Sequence, residues 1–379
     1  MTRSAPLAGL KVLEIGHSIA GPYAGMILAE LGADVVKLEQ PEQGDYARGW
    51  GRPVPGGAAI AFETVNRGKR GIAVDLSDSA SARAVRRLIE RDIDIVVQNL
   101  KAGSLDRLGL GADALMADKP SLIWCNMGAF GTTGPLRGGL GYDPLIQAAS
   151  GLMSVLGGPD SPPLRVPVSL IDMTTGLWAA IGILAAVHAR NGTGRGALVD
   201  TSLYETGLAL MAAPIANYLV SGEVPEKTGS HHPTIAPSGA FRAADGWIMI
   251  AVGNDAQFSR FADVLGLSAL SGDPRFARNN GRVANRDALT ALIDGQLAGA
   301  PIDEWAARLG RAGVPNNPIL TVDAVAAHAQ TQALGMLQLS PDGALRLPGL
   351  PVTFDGERPA FARRAPRLGE HNHSVLGDL

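Results

Sequence analysis

The sequence predicts an α/β protein with a parallel sheet, followed by a smaller α+β domain, and three observations carry that expectation. The chain opens strand–helix–strand, as KVLEIG (11–16), GPYAGMILAELGA (21–33) and DVVKLEQ (34–40). Short apolar strands then keep alternating with amphipathic helices as far as residue 203. Finally, the polar, Gly/Pro-rich stretch SGEVPEKTGSHHPTIAPSG (221–239) breaks the rhythm, and a different order of elements follows. The first part is therefore Rossmann-like in layout, with right-handed crossovers between parallel strands.

The first strand ends in glycine, and Pro22 suits the opening turn of the next helix, where its missing N–H has no partner to lose. RGIAVDL (70–76) is another strand. SASARAVRRLIERD (79–92) sets charges opposite an apolar stripe, as a helix covering a sheet does. DIVVQNL (94–100), SLIWCNMGAFG (121–131) and ALVDTSL (197–203) extend the strand series, and YETGLALMAAPIANYLV (204–220) has the pattern of one helix. Past the break, GWIMIAVG (246–253) is a strand, while NRDALTALIDGQLAG (285–299) and PIDEWAARLGRAG (301–313) are helices. LRLPGLPVTFDGERP (345–359) has strand and turn signals. The expected division is a large domain over 1–220, a small one over 221–335, and a segment over 336–379 returning to the first.

Composition narrows the function. With 46% hydrophobic and 18% charged residues, the 379-residue chain has ample material for a core. A formal net charge of −3 gives no nucleic-acid footprint and no membrane-surface patch. The lone Cys125, in an apolar strand, cannot form an intrachain disulfide and suits a core position in a reducing cytosol. The start has no signal-peptide pattern, and the longest apolar run, Leu177 to Val187, falls short of the roughly 20 residues that span a bilayer. A cytoplasmic protein without a membrane partner is expected. The 48 glycines are scattered, which implies many tight turns and close backbone approaches.

Nucleotide and metal motifs fail. GHSIAGPYAG (16–25) has Ser18 where the dinucleotide fingerprint needs its second glycine, and Pro22 where a phosphate loop needs lysine. Glu39 sits about where a ribose-binding acid would follow, a weak signal without the glycines. His17 remains at a strand end, where ligands of open α/β sheets bind, although a lone histidine is more often structural. His231 and His232 are adjacent and lack a Cys or carboxylate at metal spacing, so no metal site is expected. No G-x-S-x-G elbow is present.

Asp172 stands at the head of MTTGLWAAIGILAAVHAR, a strong helical pattern. As a helix N-cap its oxygen would accept orphan N–H groups of the first turn. The alternative is chemical: with a reference pKa of about 3.9 and a helix dipole favouring the anion, it would be an ionised carboxylate able to attack an activated acyl group.

At this point the chain resembles the family III CoA-transferases, the group that contains formyl-CoA transferase and carnitine CoA-transferase. The landmarks occur in order along nearly the whole length: LAGLKVLEIGHSIAGPYAGMILAELGADVVKLEQPEQGDYARGW (7–50), NRGKRGIAVDL (66–76), NLKAGSLDRLGLG (99–111), GYDPLIQAASGLMSV (141–155), IDMTTGLWAAIGILAAVHARNGTGRGALVDTSL (171–203), HPTIAPSGAF (232–241) and APRLGEHNHSVL (365–376). The resemblance implies a CoA-transferase using acyl-CoA as substrate, with no permanently bound cofactor, Asp172 as covalent nucleophile and an interlocked homodimer. It also implies His17 and Ala20 along the CoA path, the backbone of Lys69, Arg70, Gly71, Ile72 and Ala73 with Asn99 at the adenosine end, and Lys101 and Arg107 at the CoA phosphates. Gln40 stands where formyl-CoA transferase has a CoA-contacting arginine.

Departures from the formyl-specific pattern bear on the acyl group. Ile19 replaces the glutamine two residues after the histidine, which argues against formate or oxalate. The family's glycine-run lid is not recognisable. GSHHPTIAPSG (229–239) lies in the comparable region, with His231 and His232 as candidate carboxylate binders, and Trp50 matches the tryptophan near the acyl site. A succinyl-CoA-type donor and a small dicarboxylate acceptor are the expected substrates. The main alternative is a racemase of the α-methylacyl-CoA type, whose Gly-His-Asp pattern supplies an acid–base pair. Here the pattern is Gly141-Tyr142-Asp143, and a tyrosine with a pKa of about 10 is a poor substitute for a histidine near 6.5. A non-catalytic CoA-binding protein, or a dehydrogenase without the usual fingerprint, is the third class, though Asp172 is present and an intact G-x-G-x-x-G is not.

Overall fold

In the computed structural model, which describes residues 5–377, six strands form one sheet: β1 (Lys11–Ile15), β2 (Asp34–Glu39), β3 (Arg70–Ala73), β4 (Ile95–Gln98), β5 (Ile123–Gly128) and β6 (Leu198–Ser202). Every adjacent pair is parallel, and the order is β3-β2-β1-β4-β5-β6. This is the doubly wound order, in which the chain reverses its direction of travel between β1 and β4 and leaves a crevice at their C-terminal ends.

The connecting helices are α1 (Ala20–Glu30), α2 (Ile60–Asn66), α3 (Ser79–Asp92), α4 (Ala112–Asp118), α5 (Asp143–Ala149), α6 (Leu152–Val155), α7 (Leu170–Thr193), α8 (Leu203–Leu210) and α9 (Ala212–Ser221). The strands carry apolar residues on both faces, as a sheet covered twice requires. Val12, Ile95, Val97, Ile123 and Cys125 pack in a core with Ala24 and Leu28 of α1 and Ile171, Ala179 and Ile183 of α7. Leu13, Ile15, Val36, Val96 and Trp124 pack in the opposite core with Val85, Leu88 and Ile89 of α3. Burial pushes the Cys125 thiol up to about 12, so it is an inert core residue, as its strand context implies.

The α/β expectation holds, with three differences. The segment 204–220 is two helices, α8 and α9, because Pro214 has no N–H with which to continue the ladder through Met211. The helix of Asp172 is longer than its apolar run suggests. Among the described residues, α7 alone is long and apolar enough to cross a membrane, with a mean hydropathy of 1.8 over 18 residues. One face of it nevertheless lies in the core through Ile171, Thr175, Gly176, Ala179, Ala180 and Ile183. Finally, the chain divides into one unit containing residues up to Leu152, Arg165–Gly222 and Ala329 onward, and a second containing Met153–Leu164 and Glu223–His328. The stretch Met153–Leu164 joins the second unit because Lys227 Nζ donates to Ser161 O at 2.8 Å and the Gly229 amide to Gly157 O at 2.9 Å. Neither bond is legible from local pattern.

The second unit has an antiparallel three-stranded sheet of Ser238–Arg242, Trp247–Ala251 and Asn316–Pro318. Phe241, Ile248, Ile250, Phe258, Phe261, Trp305 and Leu309 form its core. The helices Arg286–Leu297 and Ile302–Arg311 fall within the spans their sequence predicts.

Candidate active site

The glycines that fail the dinucleotide test have a packing role. A Cβ on Gly16 would sit 3.0 Å from Asn99 Oδ1, and one on Gly21 3.2 Å from Asn99 Cγ. The absent side chains make room for Asn99, which follows β4 and crosses the crevice to the turn after β1. It accepts from the His17 amide through Oδ1 and donates to His17 O through Nδ2, both at 2.9 Å. On Gly25 a Cβ would strike the buried carboxylate of Glu14.

A fourth glycine sets the position of Asp172. At Gly176 a Cβ would lie 2.8 Å from Ala20 O and 3.0 Å from Tyr23 Cδ1, so α1 and α7 cross at backbone contact there. Asp172 is one helical turn before that crossing, beside the start of α1. Gly176→Ala is expected to force the helices apart, destabilising the fold by about 1–3 kcal/mol and lowering turnover. Thermal unfolding with a parallel rate assay checks this, and an unchanged melting temperature would refute the close crossing.

Asp172 is not the helix cap. The N-cap is Ser169, and Asp172 is the third residue of α7. The acceptor role falls to Asp143, buried at 2% exposure, whose Oδ2 takes the amides of Ile171 at 2.7 Å and Asp172 at 3.2 Å. Asp143 is itself fixed by Gln147 Nε2, which donates to its Oδ1 at 2.6 Å. Gln147 in turn holds the backbone of Val166 by a donor and an acceptor bond. Sequence reasoning used Gly141-Tyr142-Asp143 to separate family branches and missed this role. Pro144, in the first turn of α5, and the i,i+4 spacing of Asp143 and Gln147 were its available signals.

Burial first, and the Asp143 carboxylate second, raise the Asp172 pKa to about 7. This corrects the expectation of a fully ionised group: near neutrality both forms are populated.

Asp172 opens into a cavity of about 230 Å³ lined by His17, Ser18, Ala20, Asn99, Lys101, Tyr142 and Leu203, together with Gly138, Gly139 and Gly141. A neighbouring cavity of about 290 Å³ lies beyond the C-terminal ends of β1, β2 and β3. His17, Gln40, Asp45, Tyr46 and the segment Val74–Ser77 line it, and His17 and Leu100 belong to both cavities. Burial lowers the His17 pKa, outweighing the opposing Asp45 carboxylate, so the ring is neutral at pH 7.

The structure thus brings together Asp172, His17, Ala20, Tyr142, Asn99 and Lys101, with Gln40 in the adjoining cavity. Others stand elsewhere. Lys69 is fully buried, donating to Pro22 O and Asn66 Oδ1 and paired with Glu14. Arg70 pairs with Asp34 at the opposite end of the sheet, and Ile72 is core. The Gly71 and Ala73 amides are taken by His371 Nδ1 and Asn372 Oδ1. The next residues, Val74–Ser77, line the cavity instead. Ile19 is the N-cap of α1 and, like Trp50 and Arg107, lines neither cavity. His231 and His232 belong to the second unit, where the His231 ring packs edge-on against Phe241 at 5.5 Å and His232 Nδ1 accepts from the Thr234 amide. Glycines do line the Asp172 cavity, but they come from 138–141, ahead of α5.

A covered parallel sheet, a switch-point crevice and a partly buried carboxylate beside it define an α/β ligand-binding enzyme. The sequence profile of CoA-transferase family III matches residues 7–372, and the chain belongs to that family. It is 36% identical to the succinate–glutarate CoA-transferase of Agrobacterium fabrum, over 100% of this chain and 96% of that protein. Identity to the acetyl-CoA:oxalate CoA-transferase of Acetobacter aceti is 38%, over 98% and 95% of the two chains. A CaiB/BaiF family protein from Brucella suis superposes with a TM-score of 0.87 at 40% identity, covering 99% of this chain and 100% of that one. The protein is a CoA-transferase.

Proposed function

We propose that the enzyme moves CoA from a succinyl-CoA-type donor to a small dicarboxylic acid through covalent intermediates on Asp172. The observation that carries the mechanism is the position of Asp172, half-buried in a cavity that shares His17 with a second cavity at the strand ends. The second cavity suits the nucleotide end of CoA, with Val74–Ser77 and Gln40 on its wall, and the first suits the thioester.

The ionised Asp172 attacks the thioester carbonyl carbon. The C–S bond breaks, and a mixed anhydride and CoA thiolate result. The thiolate attacks the aspartyl carbonyl, expelling the donor carboxylate and leaving an aspartyl-CoA thioester. The acceptor carboxylate attacks that thioester to give a second anhydride and free thiolate, which attacks the acceptor carbonyl and restores Asp172. No net proton or water is used. A hydroxyl nucleophile would give an ester and dissipate the activation, whereas a carboxylate preserves it. The half-buried setting limits hydrolysis of the anhydrides.

The dicarboxylate reading is supported by the relatives' substrates, which include glutarate, D-citramalate and mesaconate with succinyl-CoA. Ile19 supports it less than expected, being outside the cavity wall. A homodimer fits the exposed apolar stripe Met173, Leu177, Trp178 and Ile181 on α7, with Leu219 and Val220 of α9. A cytoplasmic location fits the single buried thiol.

The test is to incubate the enzyme with succinyl-CoA, acetyl-CoA and a branched acyl-CoA, add hydroxylamine and map peptides by mass spectrometry. A hydroxamate on Asp172, formed fastest with succinyl-CoA, is expected. Fastest labelling by acetyl-CoA, with oxalate as the working acceptor, would overturn the substrate class. No label with any donor, together with solvent deuterium at the α-carbon of the branched substrate, would establish racemase chemistry instead.

A further inference from the structure

The turn Gly16–His17–Ser18, between β1 and α1, occupies the place where dinucleotide-binding folds present backbone amides to a pyrophosphate. Here the His17 and Ser18 amides are bonded internally. Lys37 Nζ donates to Gly16 O at 2.8 Å. The His17 amide and carbonyl are both held by Asn99. The Ser18 amide donates to Asp45 Oδ1 at 2.9 Å, and the same oxygen accepts the Ala47 amide at 2.9 Å. Ser18 has φ +68°, a left-handed conformation that residues with a Cβ rarely adopt. Something must hold it there, and Asp45 is placed to do so.

Asp45 is itself immobilised. It is 3% exposed, and its Oδ2 lies 3.0 Å from Lys37 Nζ, which also donates to Glu14 Oε1 at 2.9 Å. Its amide donates to Glu39 Oε2, the carboxylate that binds Arg48. A hydrogen-bonded, ion-paired carboxylate at full burial is expensive to arrange and rigid once arranged. The device converges on His17, whose ring rests edge-on against Tyr46 at 5.7 Å and lines both cavities.

We propose that Asp45 is a positioning residue: an internal carboxylate standing in for the ligand phosphate at this turn, which locks Ser18 in its left-handed conformation and so holds His17 between the CoA cavity and the Asp172 cavity. It follows that the Ser18 amide is not a phosphate donor, and that CoA takes its phosphate contacts from elsewhere. The inference rests on the reading of these cavities as the acyl-CoA site.

The test is CoA binding by isothermal titration, which does not depend on the chemistry at Asp172. Asp45→Ala is expected to weaken CoA about tenfold, and His17→Ala by a similar factor. The double variant should be no weaker than either single one, because Asp45 acts through His17. Asp45→Asn keeps the acceptor for the Ser18 amide but turns its Nδ2 toward Lys37 Nζ, so it should lose stability while the folded protein binds CoA within about threefold of wild type. A merely structural Asp45 would give independent losses, about a hundredfold together, and that result overturns the proposal. So does Asp45→Ala binding CoA like wild type. If Asp45→Ala does not fold, incorporating the α-hydroxy acid analogue of Ser18 turns its amide into an ester, which removes the donor from the other end of the same hydrogen bond without fixing φ or touching the ion pairs. It should show the same loss and the same non-additivity with His17→Ala, and wild-type affinity in that variant overturns the proposal. Wild-type protein that fails to bind CoA would instead defeat the acyl-CoA reading, and the positioning role with it.

Discussion

Asp172→Asn should abolish CoA transfer and at the same time make the protein more stable at pH 8. Removing the nucleophile costs about 10⁴-fold or more in turnover, because no second group on the cavity wall can form an anhydride. The stability gain follows from the direction of the pKa shift. Burial and the nearby Asp143 carboxylate hold Asp172 at about 7, against 3.8 when exposed, so the folded protein disfavours the charged form. A group raised in this way favours folding most below its unfolded pKa, and that contribution is lost as pH climbs to the folded value. The wild-type deficit relative to the neutral asparagine should therefore open between about pH 4 and pH 7 and stay constant above. At 1.36 kcal/mol per pKa unit its ceiling is roughly 4 kcal/mol, and partial exposure of Asp172 lowers it to about half that. Denaturant unfolding of both proteins at pH 4, 6 and 8 measures the gap. The catalytic counterpart is a wild-type kcat/KM that rises with pH through about 7, as the attacking anion is populated. A flat profile from pH 5 to 9 would mean that Asp172 is ionised throughout and that the local electrostatics are not as described.

Much of this was legible in the sequence, for reasons that can be stated. Strand and helix spans in the first unit follow from periodicity, since each element faces the core with its own repeat, and Ile95, Val96 and Val97 are apolar on both faces because both are covered. That GHSIAGPYAG lacks the dinucleotide glycine fingerprint is read directly from the residues. What the glycines do instead depends on Asn99, remote in sequence, and on the buried carboxylate of Glu14, and no local pattern reveals these contacts. The same holds for Asp172. Its head-of-helix location was legible, but its pKa depends first on burial and then on Asp143, 29 residues earlier, which takes the cap role that local sequence gives to Asp172. Lys69 to Ala73 illustrate a register limit. A strand that brings its next residues, Val74–Ser77, to a cavity has its own residues in the sheet or beneath the C-terminal segment, so an offset of four or five residues separates Lys69–Ala73 from the cavity wall.

Asp143 is expected to tolerate no substitution, not even the isosteric one. In Asp143→Ala, the amides of Ile171 and Asp172 lose their acceptor at the buried start of α7, and Gln147 Nε2 loses its partner. Each orphaned buried donor costs about 1–3 kcal/mol, so the loss should reach several kcal/mol. Asp143→Asn retains one oxygen, which must face the two α7 amides. Its amide nitrogen then meets Gln147 Nε2, the atom that now donates to Asp143 Oδ1 at 2.6 Å. Gln147 cannot rotate its amide to relieve the clash, because its two ends already bond Val166 N and Val166 O in the correct sense. The isostere should therefore cost about 1–3 kcal/mol. It also removes the like charge beside Asp172, so in whatever fraction folds the Asp172 pKa falls and the kcat/KM profile moves to lower pH. These two effects separate structural from electrostatic influence: unfolding experiments read the first and the pH profile reads the second. Full stability in Asp143→Asn, with an unshifted profile, would mean that Asp143 neither anchors the start of α7 nor acts on the nucleophile.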